Sequence, residues 1–407
     1  LTGIIRKDEI LKSEARPMTS GNKAVQRKFN IVYLIDGLGM GGAERLLVPM
    51  LKTLDRSVFN PWVCAFQVRN GNPIADQLRA INVPVDLLPI PYLRDITAIP
   101  RLYAYLKKIR ADLVHTQLEF ADTFGNFTAK LLRLPSVTTL HTMTQSEANI
   151  KSRLHECTEL FALRNFCDVI ISVSEEARQF YLQASKTPLE KTRVIYNGID
   201  LSAYADLDAR RERASIREEF NLPSNATLLT TVAVLREPKG IQFMIEALPI
   251  IVAERPDAYY LIVGDGAYRP ELERAAAESA GRARIIFTGQ RNDIPQILSA
   301  SDLFILPTLT EALPTVLAEA MAAQTPIVAS RVGGIPEMVT HGVNGSLIVP
   351  GSPGELARAC VDLLSNPQRM KSMEIEGSRI VRAKFDVCGQ VEELQRLYLQ
   401  LMAPYAE

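Results

Sequence analysis

The chain has 407 residues, of which 47% are hydrophobic and 23% charged, and 46 Lys and Arg balance 46 Asp and Glu. That length suits two domains of ~100–200 residues each, and the composition excludes disordered, collagen-like and disulfide-rich classes. Zero net charge without a basic run argues against nucleic acid, no apolar run reaches the ~18 residues of a membrane span, and scattered Cys64, Cys157, Cys167, Cys360 and Cys388, with no CxxC pair, point to a reducing compartment and away from structural zinc.

Residues 1–28 are polar and mixed in charge, and they read as a poorly ordered leader without a core. They carry no signal-peptide core, which predicts a protein that is not exported. From Phe29 the pattern changes: Ile31-Val32-Tyr33-Leu34-Ile35 is an apolar run closed by glycines, with a helix pattern through Leu46, Leu47 and Met50 behind it. Strand, glycine turn and helix in that order open a doubly wound sheet. Strand-like runs recur at Trp62–Phe66, Val85–Leu88, Leu113–His115, Val137–Leu140, Val169–Ser172 and Val194–Tyr196, with helical stretches such as Ile99–Arg110 and Phe120–Leu132 between them. This alternation means a parallel sheet covered on both faces.

It breaks in the charged segment Asp200–Leu222, where the domain joint is placed. A second series follows at Leu228–Val234, Tyr259–Val263, Arg284–Phe287, Leu303–Ile305, Ile327–Ala329 and Ser346–Val349, and an amphipathic helix runs from Val391 to Met402. The expected division is a leader at 1–28, Rossmann-like domains at 29–205 and 206–385, and a closing segment at 386–407. Two such domains leave a cleft between the carboxyl ends of their sheets. Residues 1–200 hold 26 Lys and Arg against 20 Asp and Glu, and residues 201–407 the reverse, so the first half is basic. That asymmetry fits an anionic surface or ligand at the first half, and it equally fits chance.

Four places carry candidate chemistry. Gly37, Gly39, Gly41 and Gly42 follow the first strand, where glycines let backbone N–H groups approach a phosphate; a tight turn needing positive φ fits the same residues. His141 ends a strand at the cleft edge, able to donate to a sugar hydroxyl or to developing charge. His115 competes with it, and on spacing alone a half-buried imidazole satisfied by a loop carbonyl is the simpler reading. Arg236 and Lys239, in the loop before Gly240, suit a diphosphate, or form an ordinary solvated turn. The block Pro307–Met321 is the most specific. Glu311 lies in a loop, a helix starts at Thr315 with Pro314 at its first turn, and Glu319 sits inside it among apolar neighbours. Eight helical residues span ~12 Å, so the two carboxylates suit opposite ends of an extended ligand. A nucleotide-sugar fits, with the sugar near Glu311, the diphosphate at the N–H groups of Leu313 and Thr315, and the ribose near Glu319.

Together, Gly41-Gly42-Ala43-Glu44, His141, Val194-Ile195-Tyr196-Asn197-Gly198-Ile199-Asp200, Lys239-Gly240, the Glu311/Glu319 pair and Gly333-Gly334-Ile335-Pro336-Glu337 resemble the retaining glycosyltransferases of family 4, over about residues 29–400. The resemblance implies the GT-B fold, an α/β architecture with the acceptor on the first domain, the nucleotide-sugar donor on the second, and the last helix crossing back to the first. It implies Lys239 on the diphosphate, Glu319 on the ribose, Glu311 on the sugar, His141 at the reacting centre and Gly41 and Gly42 touching the phosphates on closure. It also implies a hexosyl transfer with retained configuration, by front-face attack, without a metal or other cofactor. Asp206-Leu207-Asp208 matches a metal-binding acid–x–acid pattern, and in the charged joint it reads as solvated. Two positions depart from the family pattern: Val234 stands where many relatives have Arg, with Arg236 as the candidate substitute, and Ala312 stands where Gly is common.

The competing readings are a nicotinamide dehydrogenase, a silent nucleotide-sugar-binding relative and a sugar-nucleotide epimerase. The expected acceptor is a glycan, a polyprenyl-phosphate-linked sugar or a lipid, in cell-surface polysaccharide or glycolipid synthesis. The expected place is the cytoplasm, peripheral on the inner membrane face, where Lys107-Lys108-Arg110, Lys130 with Arg133, and Lys151 with Arg153 would meet anionic lipid.

Overall fold

The computed structural model describes residues 27–69, 71–143 and 150–405, and in the last span the side chains of 155–404. The leader, apart from its last two residues, and the Lys151 and Arg153 side chains lie outside the described residues. The first sheet contains β1 (Phe29–Ile35), β2 (Phe59–Ala65), β3 (Val85–Leu87), β4 (Leu113–Gln117), β5 (Ser136–Leu140), β6 (Val169–Ser172) and β7 (Thr192–Val194). The second contains β8 (Thr227–Val232), β9 (Ala258–Val263), β10 (Ile285–Gly289), β11 (Leu303–Leu306), β12 (Ile327–Ser330) and β13 (Ser346–Ile348). The strand orders are β3-β2-β1-β4-β5-β6-β7 and β10-β9-β8-β11-β12-β13. Every ladder between these strands is parallel. In both sheets the order reverses beside the first strand, which opens a crevice at the carboxyl edge.

Side-chain alternation explains why the strands read as continuous apolar runs. Ile31, Tyr33 and Ile35 of β1 pack into one core, while Val32 and Leu34 pack into the core on the opposite face. The first of those cores also takes Val387, Val391, Leu394, Leu397, Tyr398 and Met402. These residues form one face of the last helix, Val387–Met402, so the chain returns to the first domain. Tyr398 anchors the return: its buried hydroxyl meets Tyr33 Oη at 3.0 Å and His115 Nδ1 at 2.6 Å.

Two features differ from the sequence expectation. The last strand of the first sheet ends at Val194, so Ile195 and Tyr196 lie beyond it. The charged joint also contains a helix, Ala209–Glu219, capped by Asp208 and burying Glu212, Ile216 and Arg217. Arg217 is satisfied by the Ala226 and Ala300 carbonyls and by Asp302, which is why a charged stretch can fold against the second sheet. Asp206 and Asp208 are exposed.

The chain crosses between domains twice, and the crossings pair. Ile199 N–H donates to the Phe385 carbonyl at 2.9 Å, and Val387 N–H donates to the Ile199 carbonyl at 3.1 Å. Gly198 is needed here because a Cβ would lie 2.5 Å from the Val387 backbone.

Candidate active site

A cavity of about 400 Å³ lies between the two domains. The first domain contributes Gly42, Arg45, Leu46 and Pro49, from the helix Gly42–Thr53; the crossing adds Asp200 and Tyr204. The second domain contributes Val232–Val234, Gly264 and Asp265, and Gln290 and Arg291, at the ends of β8, β9 and β10, together with Thr315, Val316 and Glu319. Both carboxyl edges therefore face one space.

The helix Thr315–Ala322 has Pro314 at its cap position and no side-chain cap. Its first N–H groups have no intrahelical acceptor, and with Thr315 and Val316 on the cavity wall they form an anion-receiving end. Glu319 lies one turn deeper. Burial pushes its carboxyl above the usual range, and Arg45 across the cleft pulls it back. Tyr204 shares this corner, its hydroxyl pushed up by burial and by the Glu319 charge.

Lys239 and Glu311 are brought together, Nζ to Oε1 at 2.5 Å, with side chains 25% and 13% exposed. Their loops are fastened by Leu309 N–H on the Pro238 carbonyl at 2.8 Å. Gly240, at φ 69°, leaves no room for a Cβ, which would sit 1.9 Å from the Pro307 carbonyl oxygen. This pair lies outside the lining of the large cavity. For Lys239 to hold a diphosphate and Glu311 a sugar, the donor must enter between them and replace the ion pair.

The glycine turn separates into two roles. None of Gly37, Gly39, Gly41 and Gly42 has positive φ, so the conformational reading of this turn fails. A Cβ on Gly41 would meet Glu44 Oε2 at 2.2 Å, whereas one on Gly42 would meet nothing within 4 Å. Gly41 makes room for Glu44, and Gly42 keeps the cavity wall open. Arg236 is exposed and does not line the cavity, although Val234 does. As placed here, Arg236 does not stand in for a cation at Val234; Arg45 and Arg291 are the guanidinium groups on the wall. Ala312 and Leu313 are buried, and Leu313 does not reach the cavity.

The two competing histidines are distinguished by their partners. His115 is buried with both ring nitrogens occupied, by Tyr398 Oη at 2.6 Å and Thr139 Oγ1 at 2.8 Å. It ties the last helix to the sheet. His141 has a buried Nε2 without a partner. It lines a small space of about 10 Å³ with Gln117, Thr139, Asn197 and Gln390. Leu46 lines both spaces, so its side chain lies at the boundary between them. Burial lowers the His141 pKa to about 4, so the imidazole is neutral between pH 6 and 8. His141→Ala is expected to reduce transfer ~10²-fold, as for loss of one preorganised donor. Nucleotide affinity and the shape of the pH–rate profile between 6 and 8 should be preserved, as steady-state kinetics would show.

A second titrating group lies under the glycine turn. Asp36 accepts the Ala121 N–H at 2.9 Å and lies 3.5 Å from Arg69 Nη2. Burial outweighs both and pushes its pKa from 3.8 to about 7. Asp122 is also pushed up, by burial and by the Glu159 charge, and Glu159 is pushed up to about 8 by burial and by the Glu119 and Asp36 charges. A raised carboxylate holds its proton in the fold and loses it when unfolded, so its contribution to stability declines as pH rises toward the folded value. His115 and His141 act in the opposite sense, but only below the ordinary His value of ~6.5. Above that, the carboxylates remain. Thermal midpoints should fall from pH 6.5 to 8, and Asp36→Asn should flatten the slope; an unaltered slope would assign the titration to other groups.

Sequence comparison bears on the same two halves. The description "Glycosyltransferase Family 4" matches residues 40–203, and "Glycosyl transferases group 1" matches residues 226–366. The chain belongs to glycosyltransferase family 4. It is 28% identical over 389 residues to an Escherichia coli enzyme named UDP-Gal:alpha-D-GlcNAc-diphosphoundecaprenol alpha-1,3-galactosyltransferase, covering 93% of this chain and 99% of that one. It is 25% identical to the Bacillus anthracis N-acetyl-alpha-D-glucosaminyl L-malate synthase, covering 77% of this chain and 80% of that one. Its fold matches that of Anabaena HepE in complex with UDP, with a TM-score of 0.80 at 24% identity over 91% of this chain and 100% of that one. As a family 4 glycosyltransferase with the GT-B fold, it is an enzyme that uses a nucleotide-sugar donor. Among the described residues no group of three or more His, Cys, Asp or Glu side chains is placed to hold a metal, and no helix is long and apolar enough to cross a membrane.

The sequence reading did not single out Arg45, Arg291, Tyr204, Asp36 or Gln117. Arg291 follows β10 and Asp36 follows β1, so the rule that strand ends face the cleft was a usable signal for both. Arg45 and Tyr204 gave no such signal, because each reaches the cavity only through the approach of the two domains.

Proposed function

We propose that this enzyme moves a hexose from a UDP-sugar to a sugar carried on polyprenyl diphosphate, with retained anomeric configuration, in cell-surface polysaccharide or glycolipid synthesis. The observation that carries the reading is the cavity shared by both carboxyl edges, with an uncapped helix end and a half-buried carboxylate on its wall. The UDP-sugar and the lipid-linked acceptor are drawn from the Escherichia coli relative, which matches over nearly its whole length. A basic first half fits a phosphorylated acceptor. Val68, Tyr92 and Ile96 are 64%, 61% and 88% exposed on the loops that follow β2 and β3, at the cleft edge of the first sheet. They suit a lipid chain or the bilayer surface, and the protein then works in the cytoplasm, peripheral on the inner membrane face.

In the proposed chemistry the acceptor hydroxyl attacks the anomeric carbon from the face the diphosphate leaves. The bond from that carbon to the diphosphate oxygen breaks, the new glycosidic bond forms, and the acceptor proton passes to a departing phosphate oxygen. Lys239 and the N–H groups at Thr315 stabilise the negative charge. Neutral His141 holds the sugar, which requires Leu46 to move aside. Protein cations carry this charge stabilisation in place of a metal ion.

The test supplies UDP-galactose, UDP-glucose or UDP-N-acetylglucosamine with polyprenyl-diphosphate-linked N-acetylglucosamine, and reads the product anomer by NMR. Transfer with retention, unaffected by EDTA, is the expected result. Donor conversion without an acceptor would mean an epimerase, and UDP binding without turnover a silent relative.

A further inference from the structure

We propose that Glu337 is a positioning residue, which couples the docking of the two domains to the placement of Glu311. The proposal rests on the reading of Glu311 as a donor-sugar residue. Glu337 belongs to the second domain, yet its carboxylate is spent entirely on the first. Its Oε2 accepts the Glu175 N–H at 2.9 Å and its Oε1 accepts the Glu176 N–H at 2.9 Å. The Tyr196 hydroxyl donates to Oε2 at 3.0 Å. Glu175 and Glu176 open the helix Glu175–Ser185, whose cap Ser174 already serves Ala177. The two N–H groups have no acceptor within their own helix. An anion from across the domain boundary satisfies both, with the helix dipole favouring its charge.

The same short piece of chain holds the Glu311 loop from below. Gly334 N–H donates to the Glu311 carbonyl at 3.3 Å. A Cβ on Gly333 would lie 1.7 Å from the Glu311 carbonyl oxygen, and one on Gly334 would lie 2.1 Å from that of Ala312. The second glycine is pressed from the other side as well: its Cβ would lie 2.9 Å from Ser174 Cβ of the first domain. Gly333-Gly334 is therefore a thin spacer with the Glu311 backbone on one side and the first domain on the other. Glu337, three residues on, fixes the first domain against it. Tyr196 links this contact to the crossing, since its ring meets Phe385 edge-on at 5.5 Å. Domain docking and the height of the Glu311 loop thus become one event.

The experiment compares wild type with Glu337→Ala, Glu337→Gln and Tyr196→Phe. It measures UDP affinity by calorimetry, kcat and donor KM by steady-state transfer, and the radius of gyration by small-angle scattering. Glu337→Ala should lower kcat ~10- to 100-fold, the scale of lost hydrogen bonds to a charged group, and enlarge the radius of gyration, with UDP affinity within ~2-fold of wild type. Glu337→Gln retains one acceptor oxygen and should recover part of the loss; Tyr196→Phe should show a smaller loss of the same kind. Glu337→Gln and Tyr196→Phe decide the matter if Glu337→Ala does not fold. Wild-type kcat in folded variants overturns the coupling. A loss of UDP affinity matching the loss of kcat also overturns it, by making Glu337 part of the nucleotide site. Failure of the wild type to bind UDP would instead remove the donor-site reading beneath it.

Discussion

Lys239→Ala should lower kcat by ~10²–10³-fold, the cost of removing one charge-stabilising group from a developing anion. The geometry makes the effect large for two reasons. The Lys239 side chain is only 25% exposed, so its charge is only partly screened by water, and its ammonium is held 2.5 Å from Glu311. Its removal also leaves Glu311, only 13% exposed, without its cation. The two contributions separate in a double variant. Adding Glu311→Gln to Lys239→Ala should recover folding stability, because no carboxylate remains to be paired, but it should not recover kcat. Lys239→Arg should rescue poorly, since a planar fork does not reproduce a compact point charge on a short loop. Pre-steady-state kinetics with saturating donor is the appropriate measurement.

Glu319→Ala should weaken UDP binding ~10- to 100-fold, the range for hydrogen bonds to an ionised acceptor. The carboxylate is half-buried on the cavity wall, with Arg45 of the other domain near enough for its charge to be felt. A ribose hydroxyl entering there replaces water with a charged acceptor. Because burial holds the Glu319 carboxyl above the usual range, protonation removes that acceptor sooner than for an exposed glutamate. Wild-type UDP affinity should therefore fall as the solution is acidified, and Glu319→Ala should lack that pH dependence. Calorimetric titrations at several pH values would check both.

Most of the architecture was legible in the sequence because buried parallel strands need apolar side chains on both faces, and short runs of them stand out. The last strand of the first sheet was misplaced by two residues, since Ile195 packs in the first-domain core just beyond the ladder and Tyr196 meets Phe385 at the crossing. The helix at Ala209–Glu219 was hidden by its charges, whose burial depends on Asp302 and carbonyls far along the chain. In the site, Glu319 was readable from its apolar neighbours. Arg236 was misleading: it precedes Lys239 in a basic loop, but the left-handed turn at Gly240 packs the loop on Pro307 and leaves Arg236 in solvent. The contacts of Arg45 and Glu337 were not readable, because their partners lie in the opposite domain.

The measurement that bears most directly on the account is thermal unfolding of wild type and Glu319→Ala against UDP, GDP, ADP, CMP and NAD at millimolar concentration. At ~100 times its dissociation constant a ligand adds ~2.7 kcal/mol of stability. The account predicts a shift with UDP in the wild type that is much reduced in Glu319→Ala. An equal UDP shift in both proteins would contradict the ribose placement, and a shift with NAD alone would contradict the nucleotide-sugar site itself.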